Sequence, residues 1–180
     1  ASPGNYVWDI AFRDDSQQLA TASADDVVRL WDLRQEGLSS GSSITLAGHT
    51  NDVWSVAYTR DHLLFSGGRD GRVIQWNSES DPAIGTALSS DFPLTGLAIG
   101  GNARIATGTR DSATGAIAQI WQTGSTTPDS TLRTSANQTT ALAFITGTDN
   151  LLITDSARRL LLWEPAAERV QRIATVPVIL

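Results

Sequence analysis

VWSVAYTRDHLLFSGGRDGRVIQWN, residues 53–77, holds three short apolar or β-branched runs, VWSVAY, LLFSGG and RVIQWN, divided by TRDH and RDG. Runs of this length bounded by Asp, Gly and similar turn formers are strand chemistry. The same plan recurs along the whole chain. Trp31, Trp76, Trp121 and Trp163 close the runs VVRLWD, RVIQWN, AIAQIWQ and LLLWE at spacings of 45, 45 and 42 residues. Ala11 in VWDIAF, Ala57 in VWSVAY, Ala98 in LTGLAI and Ala143 in TTALAF keep the same beat, at 46, 41 and 45. Two independent markers in phase establish a repeat.

Between the markers lies a further run in each unit: QLATAS at 18–23, LLFSGG at 63–68, RIATGT at 104–109 and LLITDS at 151–156. A weaker fourth run follows each Trp: SITLA at 43–47, IGTALS at 84–89, STLRT at 130–134 and VQRIAT at 170–175. No segment shows the apolar spacing of a helix of useful length. The chain is therefore predicted to be all-β, with four units of four strands over residues 1–180: about 5–48, 49–90, 91–135 and 136–180.

Composition narrows the function classes. The chain has 180 residues, enough to bury a substantial core without staples. There is no Cys, hence neither a disulfide framework nor a thiolate metal site, and the redox compartment stays open. All thirteen cations are Arg, and nineteen acids leave a formal charge of −6. Nucleic acid is not the expected partner, since phosphate binding relies on a basic surface. No apolar run approaches the ~18 residues of a membrane span, so a soluble protein with no membrane partner is expected. Met is absent even at position 1, and the chain is expected to begin after processing, trimming or excision from something longer.

Units of about 40–45 residues, each with four strands and a Trp-Asp-like end to the third strand, are propeller-blade signatures. The chain resembles the WD40-repeat family over essentially its full length. Unit two carries the fullest motif: Gly48-His49, then Asp70 in SGGRDG, then Trp76; unit one supplies the literal Trp31-Asp32. The resemblance implies a WD40-type β-propeller of four antiparallel blades in one chain. It also implies a hydrogen-bonded network through His49, Ser66, Asp70 and Trp76. By the same alignment the network members elsewhere are Thr21, Asp25 and Trp31, then Thr107, Asp111 and Trp121, then Thr154 and Trp163. Pro3, Ser90 and Ser135 stand where His49 would recur, and Ala157 stands where the fourth Asp would be. Blades 1, 3 and 4 are expected to be less firmly stapled than blade 2.

No catalytic set survives this accounting. Ser66, His49 and Asp70 are the residue types of a hydrolytic triad, but the repeat already explains each of them. His62 falls in a turn, and two histidines without Cys do not make a transition-metal site. The glycine pairs Gly67-Gly68 and Gly100-Gly101 lack the helix a phosphate loop needs, and are expected in turns and bulges. No cofactor motif is present. RDSATGA at 110–116 is four residues longer than its counterpart in unit two and is read as surface variation.

Trp8 and Trp54 share one place in the repeat, where the other units have Thr95 and Thr140. The resemblance puts this place on the narrow face around the central channel, the family's usual docking surface. Tyr6, Trp8, Asp52, Trp54, Arg69 and Arg110 are the candidate patch for a protein partner, bound as a peptide or loop. The alternative is that both tryptophans pack between blades. Family propellers usually have seven or eight blades, so four leave open blade faces. Two arcs are expected to pair as a homodimer with an eight-bladed ring, or another chain is expected to complete the ring. TVPVIL at 175–180 looks like a strand cut from a longer chain or held by another one. The resulting expectation is a non-enzymatic interaction scaffold. Its rivals are a hydrolase or lyase working in the central channel, and a carbohydrate-binding module.

Overall fold

The computed structural model describes residues 6–34, 43–77, 86–101, 103–111 and 113–175. Pro3, the start of IGTALS, Ser112 and the last five residues of TVPVIL lie outside these. Among the described residues sixteen strands form four four-stranded antiparallel sheets, each an up-and-down meander in chain order. Blade 1 is β1 (Val7–Phe12), β2 (Gln18–Ser23), β3 (Val27–Asp32) and β4 (Ser43–Ala47). Blade 2 is β5 (Val53–Tyr58), β6 (Leu63–Gly68), β7 (Arg72–Asn77) and β8 (Thr86–Ser89). Blade 3 is β9 (Leu94–Ile99), β10 (Arg104–Thr109), β11 (Ile117–Gln122) and β12 (Ser130–Arg133). Blade 4 is β13 (Thr139–Phe144), β14 (Leu151–Asp155), β15 (Arg159–Glu164) and β16 (Arg169–Thr175). Among the described residues no helix is long and apolar enough to cross a membrane.

The chain divides into two compact units, Ala1–Asp91 and Phe92–Leu180. In the first, blade 1 presents the small or medium side chains Ala20, Ala22, Val28, Leu30 and Leu46. Blade 2 fills the space above them with Val53, Val56, Leu64, Ile74 and Trp76. Pairing small with large lets two twisted sheets approach without voids, and each fully buried aliphatic or aromatic side chain contributes about 1.5–3 kcal/mol. Polar bonds fix the register of the joint. Asp9 Oδ2 accepts from Ser55 Oγ at 2.9 Å and from the Val56 amide at 3.0 Å. Tyr58 donates its hydroxyl to Gln18 Oε1 at 2.7 Å. His62 stays in its turn, half-exposed, with Nε2 2.9 Å from Asp14 Oδ1 in the matching turn of blade 1.

The second unit repeats the arrangement. Ala98, Ala106, Ala118, Ile120 and Leu132 of blade 3 meet Leu142, Phe144, Leu151, Ile153, Leu161 and Trp163 of blade 4. A Cβ on Gly108 would stand 2.1 Å from Thr139 Oγ1, so glycine there is dictated by the close approach of blade 4. Blade 4 alternates cleanly along β14: Leu151 and Ile153 are buried, Leu152 and Thr154 half-buried on the opposite face.

Candidate partner-binding site

Each innermost strand carries one extra residue at the same place. Register slips between Val7 and Asp9, between Val53 and Ser55, and between Thr139 and Ala141. In blade 3 Gly108 faces Gly96 while Thr109 faces Leu94. The unpaired residues are Trp8, Trp54, Thr95 and Thr140. A bulge bends the strand and re-aims its side chain, which frees these positions from the blade-to-blade cores.

In the first unit the bulges create an aromatic platform. Trp8 stacks on Trp54 with ring centroids 5.1 Å apart and planes 6° from parallel. Tyr6 leans on Trp8 at 5.7 Å and 34°. Trp8 is 45% exposed and Tyr6 63% exposed. Neither Trp8 nor Trp54 belongs to the buried cluster between blades 1 and 2, whose indole is Trp76. Trp54 Nε1 is buried without a hydrogen-bond partner. At the rim, the Arg69 amide donates to Asp52 O at 2.8 Å, and Arg69 Nη1 lies 3.7 Å from Asp52 Oδ2.

Arg110 occupies the matching place in the second unit, exposed, with its amide donating to Pro93 O at 3.0 Å. There the bulge hydroxyls are engaged. Thr95 Oγ1 donates to Thr139 O at 2.7 Å, and Thr140 Oγ1 meets Thr154 Oγ1 at 2.8 Å.

The network of blade 2 is continuous. Trp76 Nε1 donates to Ser66 Oγ at 2.8 Å, His49 Nε2 lies 2.7 Å from Ser66 Oγ, and His49 Nδ1 lies 3.0 Å from Asp70 Oδ1. Burial raises the Asp70 carboxyl, but donors from Thr50, His49 and Arg72 outweigh it and hold the group below its usual range. Burial lowers His49, against the pull of Asp70. A neutral imidazole beside an ionised carboxylate puts the proton on Nδ1, so Nε2 accepts from the Ser66 hydroxyl. Ser66 is fully buried and already receives the Trp76 N–H. Although the three side chains have a triad's connectivity, a substrate has no path to that oxygen. Gly68 is tied to the same network, because its Cβ would fall 2.5 Å from His49 Nδ1.

Stability should follow these titrations. The unfolded chain binds a proton at His49 more readily than the folded one, so stability is full above the unfolded value of 6.5 and declines as pH falls below it. Asp70 adds a further loss below 3.8. His49→Gln is expected to flatten the decline that begins below pH 6.5, measured as denaturation midpoint against pH.

The other blades use different staples. Trp31 Nε1 donates to Thr21 Oγ1 at 3.2 Å, and Trp121 Nε1 to Thr107 Oγ1 at 2.9 Å. Arg29 clasps Asp25 through Nη1 at 3.1 Å and Nη2 at 2.6 Å. Asp111 caps its turn through Ala113 N and the Thr114 hydroxyl.

Blade 4 departs from the sequence-based alignment. In register, Trp31, Trp76, Trp121 and Trp163 face Leu19, Leu64, Ile105 and Leu151. The residue two places further on is Thr21, Ser66, Thr107 and, in blade 4, Ile153. Thr154 is therefore not the partner of Trp163. One residue's displacement turns a strand side chain to the other face, where Thr154 meets Thr140. The ten-residue spacing of Thr21 to Trp31 and Ser66 to Trp76, counted back from Trp163, would have found Ile153.

Blade 4, expected to be less firmly stapled than blade 2 for lack of a His and the expected Asp, has a staple of its own. Asp155 supplies the carboxylate two residues before Ala157 and accepts from Ala157 N at 3.0 Å, Arg159 N at 3.1 Å and Arg159 Nε at 2.8 Å. Arg159 Nη1 reaches Ser135 Oγ at 2.9 Å, so the serine at the His49 position is still tied to its blade.

Comparison with known proteins agrees with this architecture. The family model "WD domain, G-beta repeat" matches residues 2–32 and 40–77. WD repeat-containing protein 91 of Gallus gallus is 31% identical over 93 residues, 48% of this chain and 12% of that protein. The Denticleless protein homolog of Danio rerio is 40% identical over 76 residues, 41% of this chain and 11% of that protein. This chain thus spans about a tenth of the length of those relatives. Among solved structures, a chain in the crystal structure of a mitotic checkpoint complex superposes with TM-score 0.78 at 21% identity, covering 94% of this chain and 51% of that one. The structure of U3-55K superposes with TM-score 0.78 at 15% identity, covering 95% and 52%. Repeat spacing, four meandering sheets and the Trp-to-hydroxyl bonds agree with these matches: residues 2–32 and 40–77 are WD-type repeats, and the chain has the fold of the WD40 β-propellers it resembles.

Proposed function

We propose that this chain is a non-enzymatic interaction scaffold that takes a peptide or loop of a protein partner on the Tyr6, Trp8 and Trp54 platform. Asp52 and Arg69 flank it, and Arg110 offers a further charge in the second unit. In the same proposal, open blade faces associate into a complete ring. The observation that carries the reading is the stacked Trp8–Trp54 pair on two bulges, with Trp8 and the neighbouring Tyr6 exposed and Trp54 half-buried beneath them. Exposed Trp and Tyr are the side chains that most often anchor partners. The family adds coarser support: WD repeat-containing protein 91 is named for its repeats, and no relative cited above is named for a reaction.

Peptides selected from a displayed random library on the immobilised chain test the site. Trp8→Ala is expected to weaken the selected peptides by about 30-fold or more, the scale of an anchor residue, while leaving the denaturation midpoint almost unchanged. Equal binding by Trp8→Ala, or a collapse of stability in Trp54→Ala, would refute the platform. Selective binding of oligosaccharides in place of peptides would favour the carbohydrate-module reading.

A further inference from the structure

The aromatic platform of the first unit lies in an unevenly charged setting. Asp9 directly follows Trp8, and its carboxylate is held by neutral donors: the Ser55 hydroxyl, the Val56 amide and the Ile10 amide. On the Tyr6 side, the Ala24 amide donates to Tyr6 O at 2.9 Å, which sets the Asp25–Asp26 turn beside that residue. Asp25 is clasped by Arg29, whereas Asp26 has no ion pair among the described residues. Asp52, two residues before Trp54, has one loose partner, Arg69 Nη1 at 3.7 Å. Arg72 of the same blade is bonded to Gly48 O at 2.7 Å. Asp9, Asp26 and Asp52 therefore stand against the single exposed guanidinium of Arg69, and their field favours a cation over the rings.

Ring geometry narrows which cation fits. A compact ammonium is best held by aromatic rings that wrap around it as a cage. Trp8 and Trp54 are 6° from parallel and Tyr6 is tilted from Trp8 by 34°, so the three form a stack with flat faces rather than a cage. A planar guanidinium suits that surface, because it can lie on a ring while its fork of N–H donors reaches a carboxylate.

We infer that the partner's anchor is an arginine side chain, its guanidinium laid on the exposed rings of Tyr6 and Trp8 and bonded to Asp52 in place of Arg69. The inference rests on the platform reading above and names the chemistry of its ligand. Arg69 is then a competitor for Asp52, released when the partner binds, and its 52% exposed side chain has room to turn away. Asp9 and Asp26 act through their charge and need not touch the ligand.

Peptides selected from the displayed library on the immobilised chain test this, and they are expected to share an arginine. Replacing that arginine by citrulline keeps the shape and removes the charge, and should weaken binding about tenfold or more; lysine should fall between the two. Asp52→Asn is expected to cost the arginine peptide about tenfold and the citrulline peptide little, while Arg69→Ala should strengthen the arginine peptide. Both variants are checked for folding by circular dichroism. Citrulline bound as well as arginine, or an arginine peptide weakened by Arg69→Ala, overturns the arginine assignment. So do selected peptides that lack arginine and yet are lost with Trp8→Ala, a result that leaves the platform standing. Peptides indifferent to Trp8→Ala overturn the platform and this assignment together.

Discussion

Replacing Trp76 by alanine is expected to lower the unfolding free energy of the first unit by about 3–5 kcal/mol, the scale for deleting a large buried aromatic. The indole is 3% exposed, lies in the core between blades 1 and 2, and is the donor that holds Ser66 in place for His49. Two losses therefore add: a cavity among Ala20, Leu30 and Ile74, and a serine released from the buried chain leading to Asp70. Trp76→Phe keeps most of the volume and should cost far less, which separates packing from the hydrogen bond. Trp163→Ala should show the cavity component alone, because Ile153 replaces the hydroxyl in that blade. Denaturant titration followed by circular dichroism reads all three. A Trp76→Ala midpoint matching that of the wild type would refute the assigned role.

Arg159→Leu is expected to be comparably damaging, by about 3–5 kcal/mol, for an electrostatic reason. The Asp155 side chain is 0% exposed and lies 2.7 Å from Arg159 Nη2. Without the guanidinium, a buried carboxylate keeps the amides of Ala157 and residue 159 and loses its cation, while Ser135 loses its tie to the blade. Asp155→Thr in the same chain should recover much of the loss, since Thr109 fills the equivalent register position in blade 3. If the double variant is no more stable than Arg159→Leu, the unpaired charge is not the cause.

The fold was legible because period and alternation are local properties of the chain. Trp31, Trp76 and Trp121 each sit one turn and two strands from a hydroxyl, so their network could be proposed by counting. Blade 4 failed the count because its hydroxyl and carboxylate moved by one and two residues, and a strand reverses its face at every step. Arg159 was missed for a related reason. Its value depends on two groups, Asp155 and Ser135, that sequence separates and the sheet brings together.

The candidate site was legible as a coincidence of aromatics, but not as a platform. Nothing in VWDIAF or VWSVAY announces an extra residue in the ladder; the slip becomes visible when Val7 pairs with Ser23 and Asp9 with Ala22. The bulge aims Trp8 and Trp54 at each other and leaves Trp54 Nε1 unmet. The role of Asp9 is likewise a property of the joint between blades.

By itself the sequence determined the strands and their grouping by four, because turn formers and short β-branched or apolar runs act over a few residues. Tertiary structure alone decided which hydroxyl met which indole and which carboxylate stayed buried. Those outcomes depend on register and on contacts between blades some forty residues apart, where a single added residue reverses what every following side chain can touch.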